Sequence, residues 1–243
     1  MQYIIAAEPK EIKNASSFRQ PLAHMAYKIG RDARLYRSED AAAVEDGYMI
    51  LSSEGEVRAD DYTVTEIISE CKSRRFKGVL ANFGAAPLLT EISKELNELN
   101  LRLIVTENLG SDYSSAWVLI SSALSGGTLR RRLSEAVNKY GASRIVLDVE
   151  RVTREFVPPA YDGEGRFVSR EEFETLKARV SPAPFFSQEL CCNYFVFFEG
   201  GRPHIVLYDN LGSIKNKLFI ASSLGIDKAM FLYSEIYDIM QNL

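Results

Sequence analysis

The stretch SRIVLDVE, Ser143–Glu150, joins an apolar run to two carboxylates, and the fold prediction starts from it. Its apolar residues do not alternate with polar ones, which is typical of a parallel strand covered by helices on both faces. Side chains alternate along a strand, so Val146, Asp148 and Glu150 are expected to point the same way. The stretch therefore predicts a buried parallel strand that ends in two acids on one face.

Seven other short apolar runs have the same character. They are Tyr3–Glu8, Tyr48–Ser53, Gly78–Phe83, Leu101–Glu107, Ala116–Ser122, His204–Asp209 and Ala229–Glu235. Helical patterns lie between several of them. Thr128 (or Ser125) is placed to cap one helix that Gly141 ends, and Ser213 is placed to cap another that Gly225 ends. Eight strands alternating with helices predict an α/β fold, a (β/α)₈ TIM barrel, as a single domain over residues 1–243.

Two segments interrupt this alternation. Thr153–Phe167 is rich in proline, glycine and charge, and it predicts a long loop after what counts as the sixth strand. Two apolar runs flank Glu199–Arg202, whose pair of glycines predicts a β-hairpin near the seventh strand. The competing fold is an open doubly wound sheet. It is disfavoured because neither a G-x-G-x-x-G motif after the first strand nor a G-x-x-x-x-G-K-[S/T] loop occurs.

The composition narrows the class of protein. The chain has 243 residues, 46% hydrophobic and 26% charged, with a formal net charge of −4. These values are normal for a globular protein and disfavour a nucleic acid or an anionic membrane as the partner. Three cysteines, two of them adjacent, indicate a reducing compartment rather than a disulfide framework. No signal-peptide pattern and no apolar run of about 20 residues is seen, so we predict a cytoplasmic location, with a removed export segment left open.

Acidic residues end several of the predicted strands. The carboxyl ends of barrel strands open on the active-site face, so we expect these acids to converge on one rim. Crowded carboxylates raise one another's pKa, which lets one act as a general acid near neutral pH. The structural alternative is that such an acid caps the next helix or pairs with an arginine. The candidate catalytic residues are Asp148 and Glu150, with Glu150 as general acid; the candidate substrate-binding residues are Glu8, Asn82, Glu107, Glu189, Tyr208, Asp209 and Tyr233.

Other kinds of chemistry have weaker signals. His24 and His204 lie far apart, no zinc-ligand spacing occurs, and we predict neither a metal site nor a cofactor. A metal-dependent barrel enzyme nevertheless remains an alternative, because Glu107, Asp148, Glu150 and Asp209 offer the oxygen ligands that Mg²⁺ or Ca²⁺ prefers. No serine lies in a G-x-S-x-G elbow. Cys191 or Cys192 would serve as a nucleophile only with a neighbouring histidine, for which His204 is the candidate.

The segment YGASRIVLDVE, Tyr140–Glu150, resembles the G-x-D-G-x-D/N-x-D-x-E strand of family 18 glycoside hydrolases. The likeness is closest to the branch of spore-cortex and germination peptidoglycan hydrolases. The segment from Tyr194 to Glu235 is similar to their hairpin, H-x-V-x-[FY]-x-D strand, serine-led helix and final strand. The resemblance implies that Glu150 is the proton donor and that Asp148 orients the acetamido group of the substrate. It also implies a mechanism in which that N-acetyl group is the nucleophile.

The chain also departs from the family pattern. Ser143 and Val146 stand where the family has its earlier acids, and Tyr233 stands where a tryptophan usually lies under the sugar. The acid strand is the fourth of the family's barrel, whereas it is the sixth in our count. The resemblance implies a glycoside hydrolase-like barrel acting on N-acetylated sugars of cell-wall or chitin type, with activity that is retained, reduced or lost. The alternative is a non-catalytic barrel that binds a carbohydrate or a protein. A carbohydrate or other small molecule is the expected ligand, and the sequence predicts no oligomeric state.

Overall fold

The apolar runs of the sequence form strands that are short, mostly parallel and deeply buried. The structure is a computed structural model, and it describes residues 1–38, 44–55, 61–84, 87–124, 126–159 and 165–243. The strands are β1 (Gln2–Ala7), β2 (Leu22–Ile29), β3 (Leu35–Arg37), β4 (Tyr48–Ser53), β5 (Gly78–Asn82), β6 (Arg102–Thr106), β7 (Trp117–Ser121), β8 (Ile145–Val149), β9 (Thr153–Phe156), β10 (Arg166–Phe167), β11 (Phe185–Ser187), β12 (Cys192–Glu199), β13 (Arg202–Tyr208) and β14 (Lys228–Leu232).

Eight of these strands pair in parallel and close into a barrel. In order around the ring they are β1, β2, β4, β5, β6, β7, β8 and β14, and β1 pairs with both β2 and β14. Strand β3 pairs antiparallel with β2 outside this ring. The predicted (β/α)₈ barrel is therefore confirmed, and closure leaves no exposed edge among its eight strands.

The helices are α1 (Ile12–Ala15), α2 (Asp61–Ser73), α3 (Pro87–Glu98), α4 (Leu129–Tyr140), α5 (Arg170–Val180), α6 (Leu211–Ser223) and α7 (Tyr233–Ile236). Thr128 caps α4 as predicted, by accepting a hydrogen bond from the Arg131 amide at 3.2 Å. The cap of α6 is Asn210 and not Ser213. Their side chains accept hydrogen bonds from each other's amides, because Ser213 sits three residues inside the helix. Within the described ranges, no helix is long and apolar enough to cross a membrane.

The sequence-based count of barrel strands was wrong at two places. Strand β2 was missed, because a register shift between His24 and Tyr27 breaks its pattern. The run His204–Asp209 was taken for a barrel strand, but it forms most of β13, which pairs antiparallel with β9 and β12. Strand β8, which carries Asp148, is consequently the seventh barrel strand rather than the sixth, and β5 is the fourth.

A second, antiparallel sheet is inserted between β8 and β14. Its strands lie in the order β10, β9, β13, β12 and β11. The long loop predicted for Thr153–Phe167 was wrong at both ends, which form β9 and β10, while its residues 160–164 lie outside the described ranges. The predicted hairpin is confirmed, since Glu199 pairs with Arg202 across two glycines that have positive φ angles. Helix α5 packs on one face of this sheet through Phe173.

Alternate residues of the barrel strands separate two apolar clusters. The interior cluster fills the barrel and includes Ile50, Leu80, Val146 and Met230. The outer cluster lies between the strands and the helices, and β8 contributes Ile145, Leu147 and Val149 to it. This alternation sends the even-numbered side chains of β8 toward the barrel axis.

His24 is a polar exception in the outer layer. It is fully buried on β2, and neither ring nitrogen has a hydrogen-bond partner among the described residues. Its ring makes an edge-to-face contact with Tyr27, with 5.6 Å between the ring centroids. Burial, assisted by the positive charges of Arg37 and Arg74, lowers the pKa of His24 to about 4. The imidazole is therefore held neutral in the folded protein.

This burial predicts a specific sensitivity to acid. In the unfolded chain a histidine takes up a proton near pH 6.5, whereas His24 in the folded chain does so only near pH 4. The wild type should therefore lose about 3 kcal/mol of unfolding free energy from this group as the pH falls through that interval. His24→Leu should lack this part of the acid loss. Urea denaturation of both proteins at pH 7 and pH 4 measures the difference, and equal acid losses would contradict the prediction.

Candidate active site

The carboxyl ends of the barrel strands surround a cavity of about 410 Å³, called the mouth cavity below. Its floor is the top of the interior cluster. Its polar lining consists of Asn82, Thr106, Asp148, Glu150 and Glu235. Among the described residues that line it there is no lysine or arginine. The mouth cavity is thus apolar below, acidic above, and placed where barrel enzymes carry their active sites.

Asp148 and Glu150 both reach the mouth cavity, as their alternation predicts. Val146, two residues before Asp148, lies in the interior cluster, while the residues between them belong to the outer cluster. Asp148 lies level with Ser121 on one neighbouring strand and with Met230 on the other. The two carboxylates therefore share one solvent-reachable space at the end of β8.

Hydrogen bonds to strand β7 hold Glu150. Its carboxylate accepts a hydrogen bond from Ser121 Oγ at 2.5 Å, and its amide donates to Ser122 Oγ at 3.1 Å. Ser121 Oγ in turn accepts from the Ala123 amide at 3.0 Å. The Glu150 carboxylate is therefore oriented by a neighbouring strand and its following turn.

The environment of Asp148 is different. Its carboxyl makes no hydrogen bond or ion pair within the described part of the chain. Burial, with the negative charges of Glu150 and Glu235 adding to it, raises the pKa of Asp148 to about 7. Burial also raises the pKa of Glu235, although the Arg151 amide donates to its carboxylate at 2.9 Å. Asp148 near the end of β8 and Glu150 just after it thus have unlike surroundings, which is the arrangement that separates an acid from a base.

A buried ion pair fixes the backbone on both sides of Arg151. Lys217 of α6 and Asp209 are both buried, and Lys217 Nζ lies 2.6 Å from Asp209 Oδ2. Lys217 also donates to the Glu150 carbonyl at 3.3 Å, and Asp209 accepts from the Val152 amide at 2.9 Å. Asp209 was predicted to bind substrate, but this pair occupies its carboxylate below the surface.

Two other predicted acids have structural partners. Glu8 is exposed, forms a capping box with Glu11 and pairs with Lys10 at 2.8 Å. Glu107 forms two hydrogen bonds with Arg132, and the guanidinium holds the pKa of that carboxylate below its usual range. Glu8 and Glu107 therefore have structural roles, since one takes part in a helix cap and the other pairs with an arginine.

Three more predicted ligands lie away from the mouth cavity. Glu189 is exposed in the turn between β11 and β12, where its carbonyl accepts from the Leu129 amide. Tyr208 is buried in the inserted sheet against Phe173, with 4.9 Å between the ring centroids. Tyr233 begins α7 and packs toward the outer cluster. Of the predicted substrate-binding residues, only Asn82 lines the mouth cavity.

Three polar groups of the site are absent from the predicted site residues, although Glu235 was among the strand-end acids expected at the rim. Thr106 and Ser121 end β6 and β7, and their position at strand ends was the available signal. Glu235 was taken as the end of the last strand, but β14 ends at Leu232. The carboxylate reaches the mouth cavity from helix α7 instead.

The described part of the chain does not bring together the residues that a cysteine nucleophile or a metal site would need. Burial raises the pKa of Cys192 to about 11 and raises that of Cys191 as well. His204 pairs with Glu155 at 2.7 Å within the inserted sheet. The four acids proposed for a metal do not meet, because Glu107 and Asp209 bind cationic side chains. No group of three or more His, Cys, Asp or Glu in the described ranges is placed to hold a metal ion.

The position of β8 corrects the motif comparison. The family carries its acids on the fourth barrel strand, whereas here Asp148 lies on the seventh and Glu150 directly follows it. The fourth strand here, β5, reads GVLAN and contains no acid. The likeness of RIVLDVE to the family motif is therefore not a likeness of position, and the catalytic roles of Asp148 and Glu150 remain a prediction.

The raised pKa of Asp148 predicts a stability effect in alkaline solution. A carboxyl that holds its proton more tightly when folded stabilises the protein at low pH, and this contribution is lost as the pH rises through about 7. At pH 8 we expect Asp148→Asn to be about 2–4 kcal/mol more stable than the wild type, with a smaller difference at pH 5. Urea denaturation at both pH values tests this. Asp112→Asn, which changes an exposed aspartate, is the control and should show no such trend.

The buried ion pair predicts strong coupling between its two members. Lys217→Met should lower the free energy of unfolding by about 3 kcal/mol or more, because it leaves the Asp209 carboxylate buried and unpaired. The double variant Lys217→Met, Asp209→Leu should recover much of that loss. Denaturant titrations measure both. A loss below about 1 kcal/mol in the single variant would show that the pair is not buried as described.

Solved structures with the same barrel architecture include a cortex-lytic enzyme and chitinases. The spore cortex-lytic enzyme SleL of Bacillus megaterium QM B1551 matches 95% of this chain and 70% of its own, with 14% identity and a TM-score of 0.70. The chitinase of Chromobacterium violaceum ATCC 12472 matches over 94% and 93%, with 14% identity and a TM-score of 0.66. The GH18 chitinase of Cycas revoluta, solved with (GlcNAc)₃, matches over 99% and 97%, with 11% identity and a TM-score of 0.66.

No protein-family model and no curated protein matches the chain. At these identities the likeness to solved structures is one of fold. The chain therefore has a barrel that is similar in fold to those of spore cortex-lytic enzymes and of a GH18 chitinase.

Proposed function

We propose that the chain is a glycoside hydrolase that acts on N-acetylated amino-sugar chains of cell-wall or chitin type. The observation that carries the proposal is the pair Asp148 and Glu150, two carboxylates with unlike surroundings in the mouth cavity of the barrel. The fold supports the choice of substrate, since similar barrels belong to a cortex-lytic enzyme and to a chitinase solved with (GlcNAc)₃.

The two carboxylates take opposite roles in this proposal. With a pKa of about 7, Asp148 is protonated in about half of the molecules at pH 7, and this form donates its proton to the glycosidic oxygen as the bond to the sugar breaks. Glu150, oriented by Ser121, accepts a proton from the water whose oxygen attacks the anomeric carbon. Asp148 is thus the general acid, in place of the Glu150 assignment that the motif resemblance implied. No acetamido nucleophile is needed, which is consistent with the absence of acids on β5.

The lining of the mouth cavity favours uncharged sugars. Three carboxylates and no described lysine or arginine face the ligand there. An acidic sugar would meet like charges, whereas N-acetylglucosamine carries no charge. The side chains of Asn82 and Thr106 supply further hydrogen-bonding groups for hydroxyl or acetamido oxygens.

A second candidate function is sugar binding without hydrolysis. It is favoured by β5, which occupies the fourth barrel position and lacks the acids that the family carries there. In that case the mouth cavity would bind the same amino sugars, and the two carboxylates of β8 would serve only as hydrogen-bond acceptors.

The experiment compares hydrolysis and binding of chitin-type oligomers and of muropeptide fragments. For a hydrolase, we expect Asp148→Asn and Glu150→Gln each to lower kcat by about 100-fold or more. Glu8→Gln, at an exposed acid outside the mouth cavity, is the control and should leave kcat unchanged. Activity of the wild type should fall as the pH rises above about 7, because Asp148 then loses its proton. Saturable binding without turnover would favour the second candidate, and neither binding nor turnover would contradict both.

A further inference from the structure

We infer that one face of the inserted sheet is the surface through which two copies of this chain associate. The inference goes beyond the proposed function and does not depend on it. The surface, called the apolar face below, is formed by residues of β11, β12 and β13. They are Phe185, Tyr194, Val196, Phe198, Pro203, Ile205 and Leu207. The strand register places them side by side, because residues directly opposite each other in a sheet project from the same face.

Strand β12 is apolar on both of its faces. Its run YFVFF, Tyr194–Phe198, has no polar position that would mark a solvent side. Phe195 and Phe197 are buried in the cluster that contains Phe173 of α5. Val196 and Phe198 project from the opposite side and are 43% and 75% exposed. Strands of this kind are typical of sheets that are covered on both sides, so the apolar face has the composition of a buried layer.

The exposed area matches what a stable dimer needs. Phe185 is 55% exposed, and an aromatic side chain offers about 200 Å². Together with Val196, Phe198 and the half-buried members, the apolar face exposes roughly 450 Å², which is near the upper end for a monomer. Two copies packed through this face would bury roughly 1,000 Å² in total, which is the area at which specific interfaces begin.

The chemistry of the apolar face favours a second copy as the occupant. A two-fold interface brings the same surface of each copy together, so that surface has to be compatible with itself. None of the seven side chains carries a formal charge, and the Tyr194 hydroxyl is their single hydrogen-bonding group. The face therefore meets no like charge in a second copy, whereas a charged partner would gain no ion pair from these side chains.

Association through the apolar face would leave the mouth cavity open, because none of the seven residues lines it. Sheets that pack face to face lie about 10 Å apart and interdigitate their side chains. Phe198 and Val196, the two members nearest the β12–β13 hairpin, would then be covered by the partner copy.

The experiment measures the mass of the purified chain by sedimentation velocity between about 1 and about 100 µM, the range expected for an interface of this size. We expect the wild type to dimerise with a micromolar Kd. Phe198→Glu should weaken the dimer by about 100-fold or more, because the symmetry places two carboxylates in one apolar interface. Phe219→Glu is the matched control, since Phe219 is 70% exposed on α6, outside the apolar face, and this variant should dimerise as the wild type does.

Two further measurements protect the test against a misfolded variant. Val196→Lys, on the same face, should weaken the dimer as Phe198→Glu does, and circular dichroism checks the fold of each variant. Hydroxyl-radical footprinting needs no variant. In the wild type, Phe198 should be oxidised less at the high concentration than at the low one, and Phe219 equally at both.

The inference is overturned by a wild type that stays monomeric at about 100 µM. It is also overturned by a dimer that Phe198→Glu and Val196→Lys, both folded, weaken no more than Phe219→Glu does. A monomer that is retained on insoluble chitin, and loses this retention with Phe198→Glu, would assign the apolar face to a polysaccharide surface instead.

Discussion

The buried pair of Lys217 and Asp209 is the interaction on which the candidate site depends. Asp209 accepts hydrogen bonds from Ser213 Oγ, Lys217 Nζ and the Val152 amide, and Lys217 donates to the Glu150 carbonyl. Two desolvated charges are tolerated only where their partners are placed this completely. The pair therefore joins α6, the end of the inserted sheet and the segment after β8 in one geometry. That geometry sets where the backbone of Glu150 can lie, and with it the direction in which its carboxylate projects.

Given that position, the surroundings of the two carboxyl groups differ. Asp148 and Glu150 have the same functional group, lie two residues apart at the end of β8 and reach the same cavity. Only Glu150 has the hydroxyl of Ser121 within reach, while Asp148 has the apolar floor and two nearby negative charges. The raised pKa of Asp148 follows from this contrast and not from its residue type. The barrel supplies a common rim, and the contacts on that rim give the two carboxylates different surroundings.

Those features that depend on local periodicity could be predicted from the sequence. Val146, Asp148 and Glu150 share a face because strand side chains alternate, and no tertiary knowledge is needed for that. Strand membership could not be read in the same way, since a barrel strand and a central strand of the inserted sheet are both apolar on two faces. The burial of Asp209 depends on Lys217, which approaches it only after α6 forms. The sequence of the strand that precedes Asp209 therefore does not indicate that Asp209 forms a structural ion pair.

The likeness to the family motif can arise from the alternation of side chains along a barrel strand, without the acids lying on the same strand as in the family. In each barrel strand one of the two alternating sets of side chains faces the barrel axis, so an acid–x–acid ending in that set places two carboxylates at the mouth whichever strand carries it. In this chain that ending belongs to the seventh strand, and the fourth ends in Asn82. The two carboxylates therefore enter the mouth cavity from the seventh strand, whereas the family motif places its acids on the fourth.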